Sequence, residues 1–87
     1  MNNRVTFDGD GFEDNMYWQS HDRKMLKRIN LLIMDTDRNG YDGIGKPEPL
    51  KYQYQGWWSR RIDGEHRLVY RIDGGIVHIA ACRLHYE

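Results

Sequence analysis

The spacing of apolar residues changes near the middle of the chain. Over residues 22–36, Met25, Leu26, Ile29, Leu32 and Ile33 recur at three- and four-residue steps, which predicts one amphipathic helix. Arg23, Lys24, Lys27 and Arg28 take its other face. Ser20 or Asp22 supplies the N-cap and Asn39-Gly40 the stop. Before it, Phe12, Met16 and Tyr17 predict a shorter helix over 12–19, with Glu13 and Asp14 at the positive end of its dipole. Residues 3–7 predict a first strand, and Asp8 to Gly11 a turn. After residue 50 the period shortens. Runs at 50–54, 57–62, 66–72 and 76–83 predict strands, and Asp63-Gly64 and Asp73-Gly74-Gly75 are hairpin signals between them. In the 66–72 run, Leu68, Tyr70 and Ile72 share one face, and Arg67, Val69 and Arg71 the other. The expected fold class is α+β, an antiparallel-dominated sheet of about four to five strands with two N-terminal helices on one face. The opposite sheet face is expected to stay open and to carry the arginines.

Composition narrows this picture. A chain of 87 residues makes one domain, 1–87, with a small but sufficient core. The single cysteine, Cys82, allows no internal disulfide and fits a reducing cytoplasm. It ends the apolar run Ile79-Ala80-Ala81-Cys82, so a buried, inert thiol is expected. No stretch approaches the roughly 18 apolar residues of a membrane span, and no signal peptide is evident, so no membrane partner is expected. The net charge is zero but unevenly spread: residues 1–22 sum to −4, 23–51 to +3 and 52–87 to +1. Nucleic-acid binding would therefore need a local basic patch, for which Lys46, Lys51, Arg60, Arg61, Arg67, Arg71 and Arg83 are the candidates. The glycines match no phosphate-cradling motif, and the four histidines lack metal-ligand spacing, so neither cofactor nor metal is expected.

Candidate chemistry centres on Gly45-Lys46-Pro47-Glu48-Pro49-Leu50-Lys51, which holds both prolines of the chain. Proline fixes its own φ and pushes the residue before it toward extended geometry. Lys46 and Glu48 each precede a proline, so both are expected to be extended and the carboxylate stiffly held. Glu48, Arg67 and His85 are the residue types that metal-free RNA cleavage needs. A base takes the proton from the 2′-hydroxyl, a cation stabilises the charged phosphorus centre, and an acid protonates the leaving 5′-oxygen. Each also has a plain structural reading: a surface strand arginine, an exposed terminal histidine, a glutamate paired with Lys46 or Lys51.

Several blocks together carry a resemblance. Tyr17-Trp18-Gln19, Asp22-Arg23-Lys24, Lys27-Arg28-Ile29-Asn30, the Pro-Glu-Pro-Leu-Lys loop, Trp58-Ser59-Arg60-Arg61-Ile62, Glu65-His66-Arg67-Leu68-Val69-Tyr70 and Cys82-Arg83-Leu84-His85-Tyr86 resemble, in order, the YoeB (Txe/YoeB) toxins. These belong to the RelE/ParE toxin superfamily of bacterial toxin–antitoxin pairs. The resemblance implies a small α+β ribonuclease with a microbial-RNase-like sheet, cutting messenger RNA in the ribosomal A site and blocked by a YefM-type antitoxin. It implies Glu48 as general base, Arg67 as phosphate stabiliser, His85 as general acid and Tyr86 as a residue shaping the site. Lys51 and Arg61 match basic positions near the RNA. A homodimer is compatible with the family. Leu84 stands where relatives commonly carry an aromatic residue, and Glu87 adds a charge after the tyrosine. The competing expectation is a non-catalytic toxin-fold binder acting on another target such as gyrase, for which Glu48, Arg67 and His85 would be dispensable.

Overall fold

The computed structural model describes residues 4–84. Strand β1 (Arg4–Phe7) alternates exposed and half-buried residues. Helices α1 (Gly9–His21) and α2 (Arg23–Asn39) follow. Then come β2 (Glu48–Pro49), a single 3-10 turn (Tyr52–Tyr54), β3 (Trp58–Arg61), β4 (Arg67–Asp73) and β5 (Ile76–Ala81). The five strands form one sheet in the order β1-β5-β4-β3-β2. Only the β1–β5 pairing is parallel, so the sheet is mixed but antiparallel-dominated, an α+β fold.

Asp22 decides where α2 begins. Its carboxylate accepts from the amides of Lys24 and Met25 at 3.0 and 3.3 Å. Ile29, Leu32 and Ile33 of α2 then pack with Trp18 of α1 against Leu68, Tyr70, Val77 and Ile79 of the sheet. The predicted α2 stripe is therefore the core stripe, and each fully buried Leu or Ile contributes about 1.5–3 kcal/mol.

The first helix differs from expectation. It starts three residues earlier, and Phe12 and Met16 are exposed rather than core-facing. The buried positions are Gly11 and Trp18. A Cβ on Gly11 would lie 2.3 Å from the Ile79 carbonyl oxygen, so the helix rests directly on the β5 backbone and its inward face is set by that contact. The 50–54 strand is also absent. Pro47 and Pro49 donate no ladder hydrogen bonds, which limits β2 to two residues, and the chain turns at Tyr52 instead. Strand β5 ends at Ala81 because the Cys82 amide leaves the ladder and donates to the Asp14 carboxylate at 3.0 Å. Both Asp-Gly signals do mark hairpins. Asp63 accepts from the Glu65 and His66 amides in the first, and Gly74 and Gly75 take positive φ in the second.

Candidate active site

The loop that delivers Glu48 is pinned from beneath by Arg60, which is fully buried. Its Nε donates to the Tyr70 hydroxyl. One terminal nitrogen donates to the Asp35 carboxylate and the Ile44 carbonyl, the other to the carbonyls of Gly40 and Asp42. Arg60 is thus no part of a surface basic patch, contrary to expectation. It pairs across the β3–β4 ladder with Leu68, on the helix-facing side, where an unpaired charge is costly. Burial pushes the Asp35 carboxyl up, but the hydrogen bonds from Arg60, the Ile44 amide and Asn39 outweigh it and hold Asp35 below the usual carboxylate range. The Arg61 amide closes on the Gly45 carbonyl at 2.7 Å. Lys46 then turns with φ +51°, so it is left-handed and not extended as the following proline led one to expect. The surrounding hydrogen bonds fix this turn and impose the uncommon conformation. Glu48 itself lies in β2, extended and solvent-exposed, opposite Ser59.

Cross-strand register puts three predicted residues on the sheet face away from the helices. Glu48 pairs with Ser59 and Ser59 with Val69. One strand repeat further along the same face, Arg61 stands directly opposite Arg67. Glu48 and Arg67 are two strands and one repeat apart, about 12 Å between Cα atoms. This face is not the open surface expected. Ser59, Arg67 and Val69 are all buried, so its centre is a floor. Arg67 is buried because its guanidinium turns back to donate to the carbonyls of Asp63 and His66 at 2.8 and 3.1 Å, and because the chain near residue 84 crosses beside it. Arg61 and Arg71 are exposed, as is Lys51, which opens the 3-10 turn after β2.

The chain at Leu84 is anchored next to Arg67. Leu84 accepts from the Arg67 amide at 2.9 Å and donates its own amide to His66 Nδ1 at 2.8 Å. That bond makes Nδ1 the unprotonated nitrogen, leaving Nε2–H toward Glu65 at 3.3 Å. Edge-on to the His66 ring stands Trp18, whose indole donates to the Cys82 carbonyl at 2.8 Å. Arg83 lies over Tyr17 at 3.6 Å, so it serves the α1 surface. Burial raises the Asp14 carboxyl above its usual range despite the Cys82 amide and Arg83, and burial pushes the Cys82 thiol up to about 12. His85 and Tyr86 lie outside the described residues. Sequence reasoning missed the roles of Arg60, His66 and Trp18. The signal that could have found Arg60 is its alternation with Trp58 and Ile62, which puts it on the core-facing side of β3. Nothing in the spacing tied His66 to residue 84. Among the described residues no group of His, Cys, Asp and Glu side chains gathers as a metal site, and no helix is long and apolar enough to cross a membrane.

Two helices on one face of this five-stranded sheet define a small toxin fold. Escherichia coli YafQ, at 15% identity, shares that fold with a TM-score of 0.72 over 94% of this chain and 92% of its own. The resemblance becomes close with the Staphylococcus aureus YoeB dimer structure, at 49% identity and a TM-score of 0.93, covering 99% of this chain and 100% of that one. Toxin YoeB of Escherichia coli (strain K12) is 48% identical over 83 residues, covering 95% of this chain and 99% of its own length. Toxin YoeB of Streptomyces coelicolor is 51% identical over 83 residues, with the same coverage of both chains. The chain belongs to the YoeB-like toxins of bacterial type II toxin–antitoxin systems, whose family profile matches residues 7–86.

Proposed function

We propose that this toxin is a metal-independent, ribosome-dependent endoribonuclease that cuts messenger RNA in the A site and so stops translation. Glu48 takes the proton from a 2′-hydroxyl. The 2′-oxygen bonds to phosphorus and the P–O5′ bond breaks, while His85 gives a proton to the departing 5′-oxygen. Arg67 holds the phosphate charge, Tyr86 shapes the site, and Lys51 and Arg61 hold flanking RNA. The observation that carries this reading is the Arg61–Arg67 pair, two guanidinium-bearing residues directly opposite each other on the face that holds Glu48. Arg67 spends one terminal nitrogen on the Asp63 and His66 carbonyls, and the two neighbouring cations together favour an anion on this face. The anchoring of Leu84 to Arg67 adds support, since His85 is the next residue.

The same reading gives the partners. Staphylococcus aureus YoeB is known as a dimer and in a heterotetrameric complex with YefM. By likeness, this toxin pairs with itself and is neutralised by a YefM-type antitoxin in the cytoplasm, where ribosomes are. A groove on α2 lined by Lys24, Lys27 and Arg28 beside Leu31 and Met34 suits an acidic amphipathic segment of such an antitoxin. The deciding experiment is cleavage of A-site messenger by wild type, Glu48→Gln and His85→Gln. Each substitution is expected to slow cutting by about 10²–10⁴-fold. Undiminished cutting by both would defeat the assignment.

A further inference from the structure

Across β3 and β4, beyond the row of Glu48, Ser59 and Val69, a second feature occupies the same sheet face. Arg71 lies two residues past Val69 and therefore on that face, exposed. Its guanidinium carbon sits 5.2 Å from the centroid of the Trp57 ring. Asp73 stands 4.0 Å off and is itself exposed, which makes a weak ion pair. Trp57 is half-buried, and its backbone is fixed on both sides: its amide donates to Tyr54 at 3.0 Å and its carbonyl accepts from Leu50 at 2.8 Å. An indole on a doubly hydrogen-bonded backbone, with a guanidinium over its ring, thus stands about one strand repeat, roughly 7 Å, from the Glu48 row. It lies on the side away from Arg61 and Arg67.

We propose that Trp57 and Arg71 form a nucleobase subsite for the nucleotide whose 2′-hydroxyl attacks. This rests on the ribonuclease reading above. Along the face the order is a guanidinium pair, a carboxylate, then an indole–guanidinium pair. With the scissile phosphate at Arg67 and the 2′-hydroxyl at Glu48, the ribose lies over the Glu48 row. Its base, on the carbon next to C2′, extends toward Trp57. Bases stack on indole rings and on arginine planes alike, and such stacking tolerates any base. The strand direction follows: the 5′ nucleotide runs toward the β2–β3 hairpin, and the 3′ product leaves past Arg67.

The test uses ribosomes programmed with a synthetic messenger whose cut site has been mapped. A second messenger carries an abasic ribonucleotide, with its 2′-hydroxyl intact, immediately 5′ of the cut. On the normal messenger, Trp57→Ala and Arg71→Ala are expected to lower kcat/KM by about 5- to 150-fold, with Trp57→Phe restoring most of it. On the abasic messenger, wild type should already be slow and the two alanine variants should add little. Equal loss on both messengers, or no loss on either, would overturn the subsite. Should Trp57→Ala fail to fold, the exposed Arg71→Ala carries the comparison alone. Glu48→Gln separates the two readings. Normal cutting by Glu48→Gln removes the ribonuclease assignment itself. Slow cutting by Glu48→Gln with no base-dependent effect at Trp57 or Arg71 removes only the subsite.

Discussion

Replacing Asp35 by alanine probes the support beneath Glu48 without touching the proposed chemistry. Asp35 pairs with the fully buried Arg60 and keeps only 17% side-chain exposure. Removing one partner of a fully buried ion pair costs about 3–5 kcal/mol, because the remaining charge is left in a low-dielectric site. Here the loss is smaller. Arg60 keeps three carbonyl acceptors and the Tyr70 hydroxyl, and partial exposure lets water reach the vacated position. The expected destabilisation is about 2–3 kcal/mol, or roughly 10–20 °C in Tm for a chain of this size. Urea titration and thermal melts at neutral pH measure it.

The pH dependence supplies a second check on the same substitution. Asp35 is held below the usual carboxylate range, so its stabilisation is complete above about pH 4 and is lost as pH falls through the depressed folded value. The gap between wild type and Asp35→Ala should therefore close progressively below about pH 4. A gap under about 0.5 kcal/mol at neutral pH, or one that widens in acid, would refute the clamp.

Two further outcomes follow from the packing of α1 and β5. Gly11→Ala sets two effects against each other: helix propensity alone favours alanine by about 1 kcal/mol, while the 2.3 Å approach to the Ile79 carbonyl forces helix and strand apart. A net loss of about 1–2 kcal/mol in chemical denaturation is expected, and a gain would show that the helix does not rest on that backbone. Cys82, with its thiol pushed up to about 12 by burial, should resist iodoacetamide at pH 8 in the folded protein and react only in denaturant, as read by mass spectrometry. Rapid native labelling would contradict the burial.

The elements most legible in the sequence were those whose signal is local. The α2 stripe is a periodic pattern that the tertiary fold had no reason to override. The Asp-Gly hairpins depend on local chemistry, the Asp63 carboxylate taking the Glu65 and His66 amides in one and the positive φ of Gly74 and Gly75 in the other, which a short peptide displays fully. Helix α1 was harder because its defining contact is an absence. Gly9 and Gly11 read as turn residues, yet Gly11 is where the helix touches β5, and Phe12 and Met16 fall outside the interface. Arg60 was misjudged for a related reason. A charged side chain in a strand reads as surface until its partners are known, and those partners lie 10 to 25 residues away in sequence. The proposed site was legible as residue types and family blocks. The facing of Arg61 against Arg67 needed the strand register, which no spacing of single residues supplies.

Backbone strain ties these observations together. Among the described residues, three non-glycine positions have positive φ: Lys46, Tyr52 and Leu84. Each costs about 1–2 kcal/mol relative to glycine-like freedom, so together they consume an appreciable part of the 5–15 kcal/mol typical of a small domain. They do not fall at random. Lys46 enters the Glu48 loop, Tyr52 follows Lys51, and Leu84 precedes His85. Each is also held by bonds around it. The Arg60 clamp and the Arg61–Gly45 bond precede Lys46, the Gln55 amide caps Tyr52, and Leu84 is bonded through both its amide and its carbonyl. Strain persists only where the surroundings over-determine the backbone, and such places concentrate at binding and catalytic sites. All three strained residues lie within two positions of a side chain proposed to meet RNA. On the proposed function, this strain fixes the backbone from which those side chains leave, and the buried Arg60 network holds the Lys46 turn in place.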